Sequence, residues 1–587
     1  MVSAKHWKYP KDKDLVLTAL RGLVATNPTL SLIPSEKVVY NAATSGQKVA
    51  IISGGGAGHE PLHSGYVGEN LLDAAVSGAI FASPSTKQIM AAVKATADKD
   101  KGAVIVVKNY TGDILHFGLV AERAKAEGYN VELVIVADDV AVGRTQNAMV
   151  GRRGLAGTAI VHKVVGAAAA AGGQLADVAD LGRSVNDNLV TISASLDRTS
   201  VPGREEENEF TGPGKAELGL GIHNEPGEKV DIPKIEDLVD ILYKKLLDAS
   251  DKERHYLDFE DDDEYVVLVN NIGGTSSLEL FAVTHYVLEN CPLKTKPVRV
   301  LVLDFVTSLN APGFSVTLFN VTKAATSKFS SDKILSFLDT PTNAPGWKPK
   351  VYDAQSWSTE QKDHELPEAH DQVPTSQIKI DGKRFSAALK NAMATLIDQE
   401  PLITKYDTQV GDGDCGETLK FGAEAILKAL DSDKSFQGNL DDPVATLSFI
   451  TELVEDNMGG TSGGIYAIYL TSLVKNLQQV SNTEVKTIAA AMKDALYDGL
   501  FKYTKARKGG RTLVDTLQPF VDTLVESGDL KLALNDAKKS CKETAKLHAK
   551  FGRASYVNEA EFQSEGGVPD PGAVGLLAII EGFLSEF

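Results

Sequence analysis

The sequence predicts two architectures in series: an N-terminal α/β part of two lobes, with parallel or mixed sheets, and an all-α C-terminal part. Three observations predict this. Up to about residue 345, short apolar runs of β type end in glycine-rich turns and alternate with helix-length segments. From about 346 to 376 the periodicity gives way to Pro349, Pro367, Pro374 and scattered acidic residues and serines, the composition of a linker. Beyond it strand-like alternation nearly vanishes and apolar residues recur at helical spacing.

In chain order, residues 49–53 form an apolar run that enters Gly54-Gly55-Gly56, and residues 103–107 run into Lys108-Asn109-Tyr110-Thr111-Gly112-Asp113. Residues 131–136 read as a further strand and the alanine-rich 156–171 as a helix. A second set begins at 265–269, entering Asn270-Asn271-Ile272-Gly273-Gly274, and continues through 298–303 and 314–319. The lobes are read as 1–190 and 191–345, the linker as 346–377 and the helical part as 378–587, with helices over 385–399, 445–457 and 487–502. The acidic run 258–264 reads as a solvated loop.

At 587 residues the chain is too long for one core. A net charge of -19 argues against a nucleic-acid partner, because a phosphate backbone would be repelled. Three cysteines (Cys291, Cys415, Cys541) are too few for a disulfide framework or a cysteine-rich zinc site, so a reducing compartment is expected. The first residues, MVSAKHWKYPKDKD, hold no apolar signal core, and no apolar run approaches the roughly 18 residues of a bilayer span. The expectation is a cytoplasmic protein with a small-molecule partner and no membrane.

Ser53-Gly54-Gly55-Gly56-Ala57-Gly58-His59-Glu60-Pro61 sits where a strand should end, which is where α/β folds bind ligands. Glycines let backbone N–H groups approach a small ligand. No Gly-Lys-Ser/Thr closes the run, and His59 stands where a dinucleotide fingerprint needs its third glycine. A tight turn is the competing reading, which the histidine weakens. Lys108, Asn109 and Asp113 beyond a strand can orient hydroxyls and supply a general base, or form a polar turn with an aspartate cap. In Leu220-Gly221-Ile222-His223-Asn224-Glu225-Pro226-Gly227 the histidine belongs on an exposed but fixed loop. There imidazole can be base, metal ligand or nucleophile, or merely surface.

In the helical part, Asp407-Thr408-Gln409-Val410-Gly411-Asp412-Gly413-Asp414-Cys415-Gly416 carries three carboxylates at i, i+5 and i+7. Interleaved glycines let them converge as hard oxygen ligands of the kind Mg²⁺ shares with phosphates. A solvated acidic turn competes. Met458-Gly459-Gly460-Thr461-Ser462-Gly463-Gly464 before a helix reads as a phosphate cradle, and Lys508-Gly509-Gly510-Arg511-Thr512 as a flexible loop with guanidinium and hydroxyl. Phe551-Gly552-Arg553-Ala554-Ser555 and Asp570-Pro571-Gly572-Ala573 precede the last helix. Each alone can be a structural turn; together they describe a nucleotide-phosphate site lacking a Walker lysine.

In this order GGGAGHEP, KNYTGD, GIHNEPG, DTQVGDGDCG, GGTSGG, KARKGGRT and FGRAS…DPGA resemble the dihydroxyacetone kinase family, in its single-chain, ATP-dependent form, over residues 54–573. The resemblance implies an N-terminal K domain in which His223 attacks the carbonyl carbon of a triose and holds it as a hemiaminal. It implies that His59 and Asp113 form the acid/base pair, and that Lys108 and the backbone of Gly56, Ala57 and Gly58 hold the substrate. Ala57 departs from the family's usual serine: a lost hydroxyl contact would alter affinity, whereas a contact through N–H would be unaffected. The C-terminal L domain would be an α-helical barrel that binds ATP through Mg²⁺ on Asp407, Asp412 and Asp414. Cys415, Gly416, Glu417, Thr418, Thr461, Ser462, Arg511, Thr512, Asp570, Pro571 and Gly572 would contact the nucleotide, and the family implies a homodimer.

The same resemblance leaves rivals. A phosphoprotein donor is disfavoured because both halves share one chain with no phosphocarrier module. A lyase that converts FAD to cyclic FMN would use the same metal site. A non-enzymatic triose sensor would have no need of Asp407, Asp412 and Asp414.

Overall fold

The structure, a computed structural model, describes residues 6–10, 12–145, 150–202, 211–349, 352, 356–357, 373–549 and 567–587. The chain divides into two compact units, Met1–Asp363 and His364–Phe587. Most of the predicted linker, and the Phe551–Ser555 motif, lie outside the described residues.

The first unit holds two six-stranded sheets. The first comprises β1 (Ser31–Ile33), β2 (Val38–Tyr40), β3 (Ala50–Ala57), β4 (Ala74–Ile80), β5 (Ala103–Lys108) and β6 (Val131–Val136), in the order β1-β2-β4-β3-β5-β6. Its β4-β3-β5-β6 core is parallel, with β1 and β2 antiparallel at one edge. Alternate residues explain why the strands read as unbroken apolar runs. Ile52, Ile105 and Val107 pack under helices Thr86–Thr96 and Thr111–Ala126. Ile51, Val104 and Val106 face helices Gly157–Ala170 and Leu175–Asp187 on the other side.

The second sheet comprises β7 (Leu189–Ser195), β8 (Lys215–Leu218), β9 (Glu228–Asp231), β10 (Tyr265–Asn271), β11 (Arg299–Leu303) and β12 (Gly313–Asn320), in the order β11-β10-β12-β7-β8-β9. Only β10 and β11 are parallel, joined through helix Ser277–Glu289; every other pair is antiparallel. The mixed character follows from connection length. β8 returns directly into β9, which only an antiparallel pair allows, whereas β10 to β11 spans a helix. Val266 and Leu268 join the core shared with the first sheet, and Val267 and Val269 pack beneath helices Ile235–Leu247 and Ser277–Glu289.

The second unit is helical throughout its described residues. Helix Gly382–Val410 starts under the side chain of Asp381, and Pro443–Asn457 starts under Asp442 with proline in its first turn. The helices enclose an apolar cavity of about 730 Å³ lined by Leu396, Leu419, Tyr466, Leu473 and Leu517 among others. Among the described residues no helix is long and apolar enough to cross a membrane.

Candidate active site

β3 does not stop before the glycines but runs through them to Ala57. Packing explains the residue choice. A Cβ on Gly54 would lie 2.6 Å from the Val76 carbonyl oxygen, and one on Gly56 2.7 Å from the Ala82 nitrogen. Gly58 follows at φ +102°, where a side chain would be strained and would strike Phe81. Gly55 differs: its Cβ would fall 3.2 Å from His63 Nε2 and 3.4 Å from Asp113 Oδ2. Gly54 and Gly56 thus serve close backbone approach, while Gly55 leaves a polar hollow open.

His59, directly after this run, is fully buried. Its Nδ1 donates to the Thr307 carbonyl at 2.8 Å, and its Nε2 lies 3.0 Å from His223 Nε2. Burial, then the charges of Lys108 and His223, push His59 well below the usual imidazole range. His223 sits in the loop between β8 and β9, and the surrounding backbone fixes that loop. Asn224 adopts φ +64° and exchanges two 3.0 Å hydrogen bonds with the Thr199 backbone. Ser308 Oγ donates to the Ile222 carbonyl at 2.6 Å. The loop is therefore fixed, as its glycine and proline signals predict, but His223 is not exposed. Its ring is enclosed by Tyr110, His59 and Phe81, with centroids 4.5, 4.7 and 5.4 Å away.

Glu225 orients His223. Its Oε2 accepts the His223 backbone N–H at 2.9 Å and its Oε1 meets Nδ1 at 2.9 Å. Burial alone would raise this carboxyl; the hydrogen bond and charge of His223, with Arg153, overcome burial and bring it down to about 2. As a carboxylate Glu225 only accepts, so His223 Nδ1 carries a hydrogen, and so does His59 Nδ1 against its carbonyl. With a hydrogen on each Nδ1, a further hydrogen between the two Nε2 atoms gives the pair one positive charge, which Glu225 faces on His223.

Lys108 closes β5 and Asp113 lies in the first turn of Thr111–Ala126; both are buried. Among the described residues Lys108 Nζ and Asp113 Oδ1 have no hydrogen-bond partner. Burial lowers Lys108, against the opposing charges of Asp113, Glu225 and Glu60. His223, His59, Lys108 and Asp113 thus come together, although they are drawn from both sheets. Glu225, Phe81, Tyr110 and Thr307 also belong to the site. Glu225 and Tyr110 sit inside motifs the sequence flags; Phe81 and Thr307 carry no local signal.

In the second unit Asp407 lies in the last turn of Gly382–Val410, buried, and its Oδ2 accepts the Cys415 N–H at 3.0 Å. Gly413, at φ +83°, turns the chain so that exposed Asp412 and Asp414 return to it. One oxygen from each carboxylate lies within 4.8 Å of the others. Oxygen donors alone, three like charges and open access suit a hard cation such as Mg²⁺. Helix Cys415–Ser432 starts at once; Gly416 packs where a Cβ would lie 2.8 Å from the Glu400 carbonyl oxygen, with Glu417 and Thr418 beside it. Thr461 and Ser462 open Gly460–Leu477, whose first turn has no side-chain cap. Burial, then Asp407 and Asp570, push the Cys415 thiol up to about 12 against a hydrogen bond with Ser462, which gathers these four residues in one neighbourhood.

The loop of Arg511 and Thr512 is pinned rather than flexible. Asp515 accepts the N–H groups of Gly509 at 2.5 Å and Thr512 at 2.8 Å, and the buried Arg511 donates to the Val568 carbonyl at 2.8 Å. The glycines that suggested looseness let the chain wrap one carboxylate. Asp570 caps Pro571–Leu584 by accepting the Ala573 N–H at 2.8 Å, and Gly572 backs onto Leu513. Burial raises Asp570 to about 7; the Ala573 N–H and Arg511 oppose the rise, while Asp515 and Asp407 add to it.

The Dak1 domain matches residues 21–346 and the DAK2 domain residues 409–585. The chain is similar to the dihydroxyacetone kinase of Pichia angusta, 49% identical over 619 residues that cover 100% of this chain and 99% of that one. It is similar to the triokinase/FMN cyclase of Mus musculus, 35% identical over 96% of each chain. Among solved structures it resembles the C. freundii dihydroxyacetone kinase in complex with AMP-PNP and Mg²⁺, with a TM-score of 0.65 and 28% identity over 100% of both chains. With an α/β K domain, a helical L domain and relatives matched end to end, the chain belongs to the dihydroxyacetone kinase family.

Proposed function

We propose that this chain transfers the γ-phosphoryl group of ATP to a terminal hydroxyl of dihydroxyacetone, and of D-glyceraldehyde, with the triose held as a hemiaminal on His223. The observation that carries the reading is the His59–His223–Glu225 array, with Nε2 atoms 3.0 Å apart and Glu225 on His223 Nδ1. His223 is nucleophilic when the hydrogen of the cationic pair lies on His59, which burial makes a weak base and so a ready proton donor. Its Nε2 lone pair attacks the carbonyl carbon, the π pair moves to oxygen, and that oxygen takes the hydrogen from His59. Glu225 balances the positive charge left on the alkylated imidazole. Glycerol offers no carbonyl and is rejected.

Asp113 takes the proton of the accepting hydroxyl, and Lys108 with the backbone of Gly56, Ala57 and Gly58 holds the substrate oxygens. Asp407, Asp412 and Asp414 are the residues that would hold Mg²⁺, which when bound neutralises phosphate charge. The first-turn N–H groups of Gly416 and Glu417, with Cys415, Thr418, Thr461 and Ser462 around them, cradle the phosphates. Arg511, Thr512, Asp570, Pro571 and Gly572 complete the nucleotide contacts. The C. freundii relative's complex with AMP-PNP and Mg²⁺ supports ATP as donor. A cytoplasmic homodimer completes this reading. A second activity, FAD cleavage to cyclic FMN at the same carboxylates, is favoured by the name of the mouse relative.

Dihydroxyacetone and Mg-ATP, with product coupled to glycerol-3-phosphate dehydrogenase and NADH, test the reading. Turnover is expected in the parent, and His223→Ala should lower kcat/KM about 10³-fold. Turnover that survives in the variant would reduce His223 to a positioning group. A parent that forms no product would overturn the kinase.

A further inference from the structure

A third histidine faces the hollow at Gly55. His63 is buried, and its Nε2 has no hydrogen-bond partner among the described residues. A Cβ on Gly55 would lie 3.2 Å from that nitrogen and 3.4 Å from Asp113 Oδ2. Lys108 Nζ and Asp113 Oδ1 are buried without partners in the same way. One ammonium donor and two kinds of acceptor therefore converge without touching, which is the complement of a ligand rich in hydroxyls.

The hydrogen bonds behind His63 fix its character. Ser53 Oγ lies 2.7 Å from the Val106 carbonyl oxygen, 2.9 Å from His63 Nδ1 and 3.0 Å from His162 Nε2. A carbonyl only accepts, so the single hydroxyl hydrogen of Ser53 points there. Its lone pairs then receive N–H groups from both histidines, which makes His63 the Nδ1–H tautomer with a bare Nε2. Burial, then the charge of Lys108 and then His162, hold His63 well below the usual imidazole range, so the ring stays neutral. The hollow thus contains a fixed acceptor that the reaction above leaves unused.

A ketotriose brings two hydroxyl hydrogens. In the kinase reading, on which this inference rests, Asp113 receives the one from the hydroxyl that is phosphorylated. We propose that His63 is a specificity residue whose Nε2 accepts the hydrogen bond of the other, non-transferred hydroxyl, with Ser53 and His162 positioning it as an acceptor. An analogue with a methyl group there would leave His63 Nε2 buried and unpaired, which is how a site built for a hydroxyl rejects its deoxy analogue.

The test compares dihydroxyacetone with hydroxyacetone, whose single hydroxyl must be the one phosphorylated, by ADP release from the full chain with Mg-ATP. The parent should prefer dihydroxyacetone by about tenfold in kcat/KM. His63→Leu should bring that preference within about twofold, chiefly by raising KM for dihydroxyacetone. Ser53→Ala, which keeps the ring and releases its tautomer, should shift the preference the same way by a smaller step. If His63→Leu slows both substrates equally, or neither, the proposal falls. If that variant does not fold, an unchanged preference in Ser53→Ala overturns the proposal by itself. A parent that phosphorylates neither compound defeats the kinase reading instead, an outcome distinct from a working kinase whose preference ignores His63.

Discussion

The two units carry candidate sites built on opposite plans. In the α/β unit His59, Lys108 and Asp113 are buried, and backbone carbonyls, Glu225 and packed rings hold the histidines. In the helical unit two of the three clustered carboxylates stand exposed on a glycine turn, and only Asp407 is buried. In the proposed reading the difference follows from the chemistry. Forming a bond to carbon and rejecting glycerol require angles and tautomers set in advance. Holding a hydrated cation and a polyanion requires charge gathered where both can enter and leave. Substitutions in the first unit should therefore act through geometry, and those in the second through charge.

The largest effect expected inside this comparison belongs to the carboxylates. Asp412→Asn with Asp414→Asn should raise the Mg²⁺ concentration for half-maximal activity by roughly 10- to 100-fold. Both side chains are exposed, so the melting temperature should stay within a few degrees. Titration of activity against Mg²⁺ at fixed triose reads the effect. A large rise in the triose KM instead would break the division of labour.

Next comes a pair of neighbouring glycines with opposite expectations. Gly54→Ala meets the Val76 carbonyl oxygen at 2.6 Å, a collision between adjacent strands, and should destabilise the unit by about 2–3 kcal/mol. Gly55→Ala brings its methyl group to 3.2 and 3.4 Å from the tips of His63 and Asp113, which must give by a few tenths of an ångström, and it fills the hollow. Thermal melts and kcat/KM should separate them: Gly54→Ala loses stability first, and Gly55→Ala loses at least about tenfold in activity with little change in melting. Equal melting for both would show that the hollow is not distinct from the strand packing.

That pair also marks what could be read from the chain and what could not. β3, β5 and β10 were legible because strands buried on both faces leave long apolar runs, and β6 because even its partly exposed face keeps Ile135. β1 and β2, three residues each, and β4, which carries Gly78, leave too little pattern. A mostly parallel arrangement suits the first sheet; in the second, the direct return from β8 to β9 and the insertion of β12 between β10 and β7 impose antiparallel pairing. Single motifs named His59, Lys108, Asp113 and His223. No spacing rule could assign Gly54 to packing and Gly55 to the hollow, since that depends on β4 and on His63. Nor could one pair His59 with Thr307, a residue 248 positions away. The Arg511 loop misled because glycines signal freedom, while Asp515 removes it through two N–H bonds.

A smaller effect tests the geometry through pH. The Glu225 carboxyl falls from its ordinary 4.5 to about 2 in the folded chain. A depressed carboxylate contributes stability that is present above the unfolded value and lost as pH falls through the folded one. With the side chain 33% exposed, solvent screening leaves about 1–2 kcal/mol of the nominal gain. Glu225→Gln should therefore melt below the parent at pH 7, with the gap closing between about pH 4.5 and 2. A gap independent of pH in that window would mean that Glu225 acts by packing and not by charge.

The smallest effect concerns Ala57, where the family usually carries serine. Its side chain belongs to the apolar core that includes Leu62, Tyr66 and Ile222, and its carbonyl accepts the Phe81 N–H at 2.9 Å. The methyl group thus faces packing, and what position 57 offers a substrate is backbone. Ala57→Ser would bury a hydroxyl in that core at a cost of about 1 kcal/mol, while the triose KM and kcat move less than about threefold. Kinetics and a melt on the one variant decide the matter. A clear fall in KM would mean that a hydroxyl at this position reaches the substrate, and the preset geometry of the α/β half would then include a contact that this chain has given up.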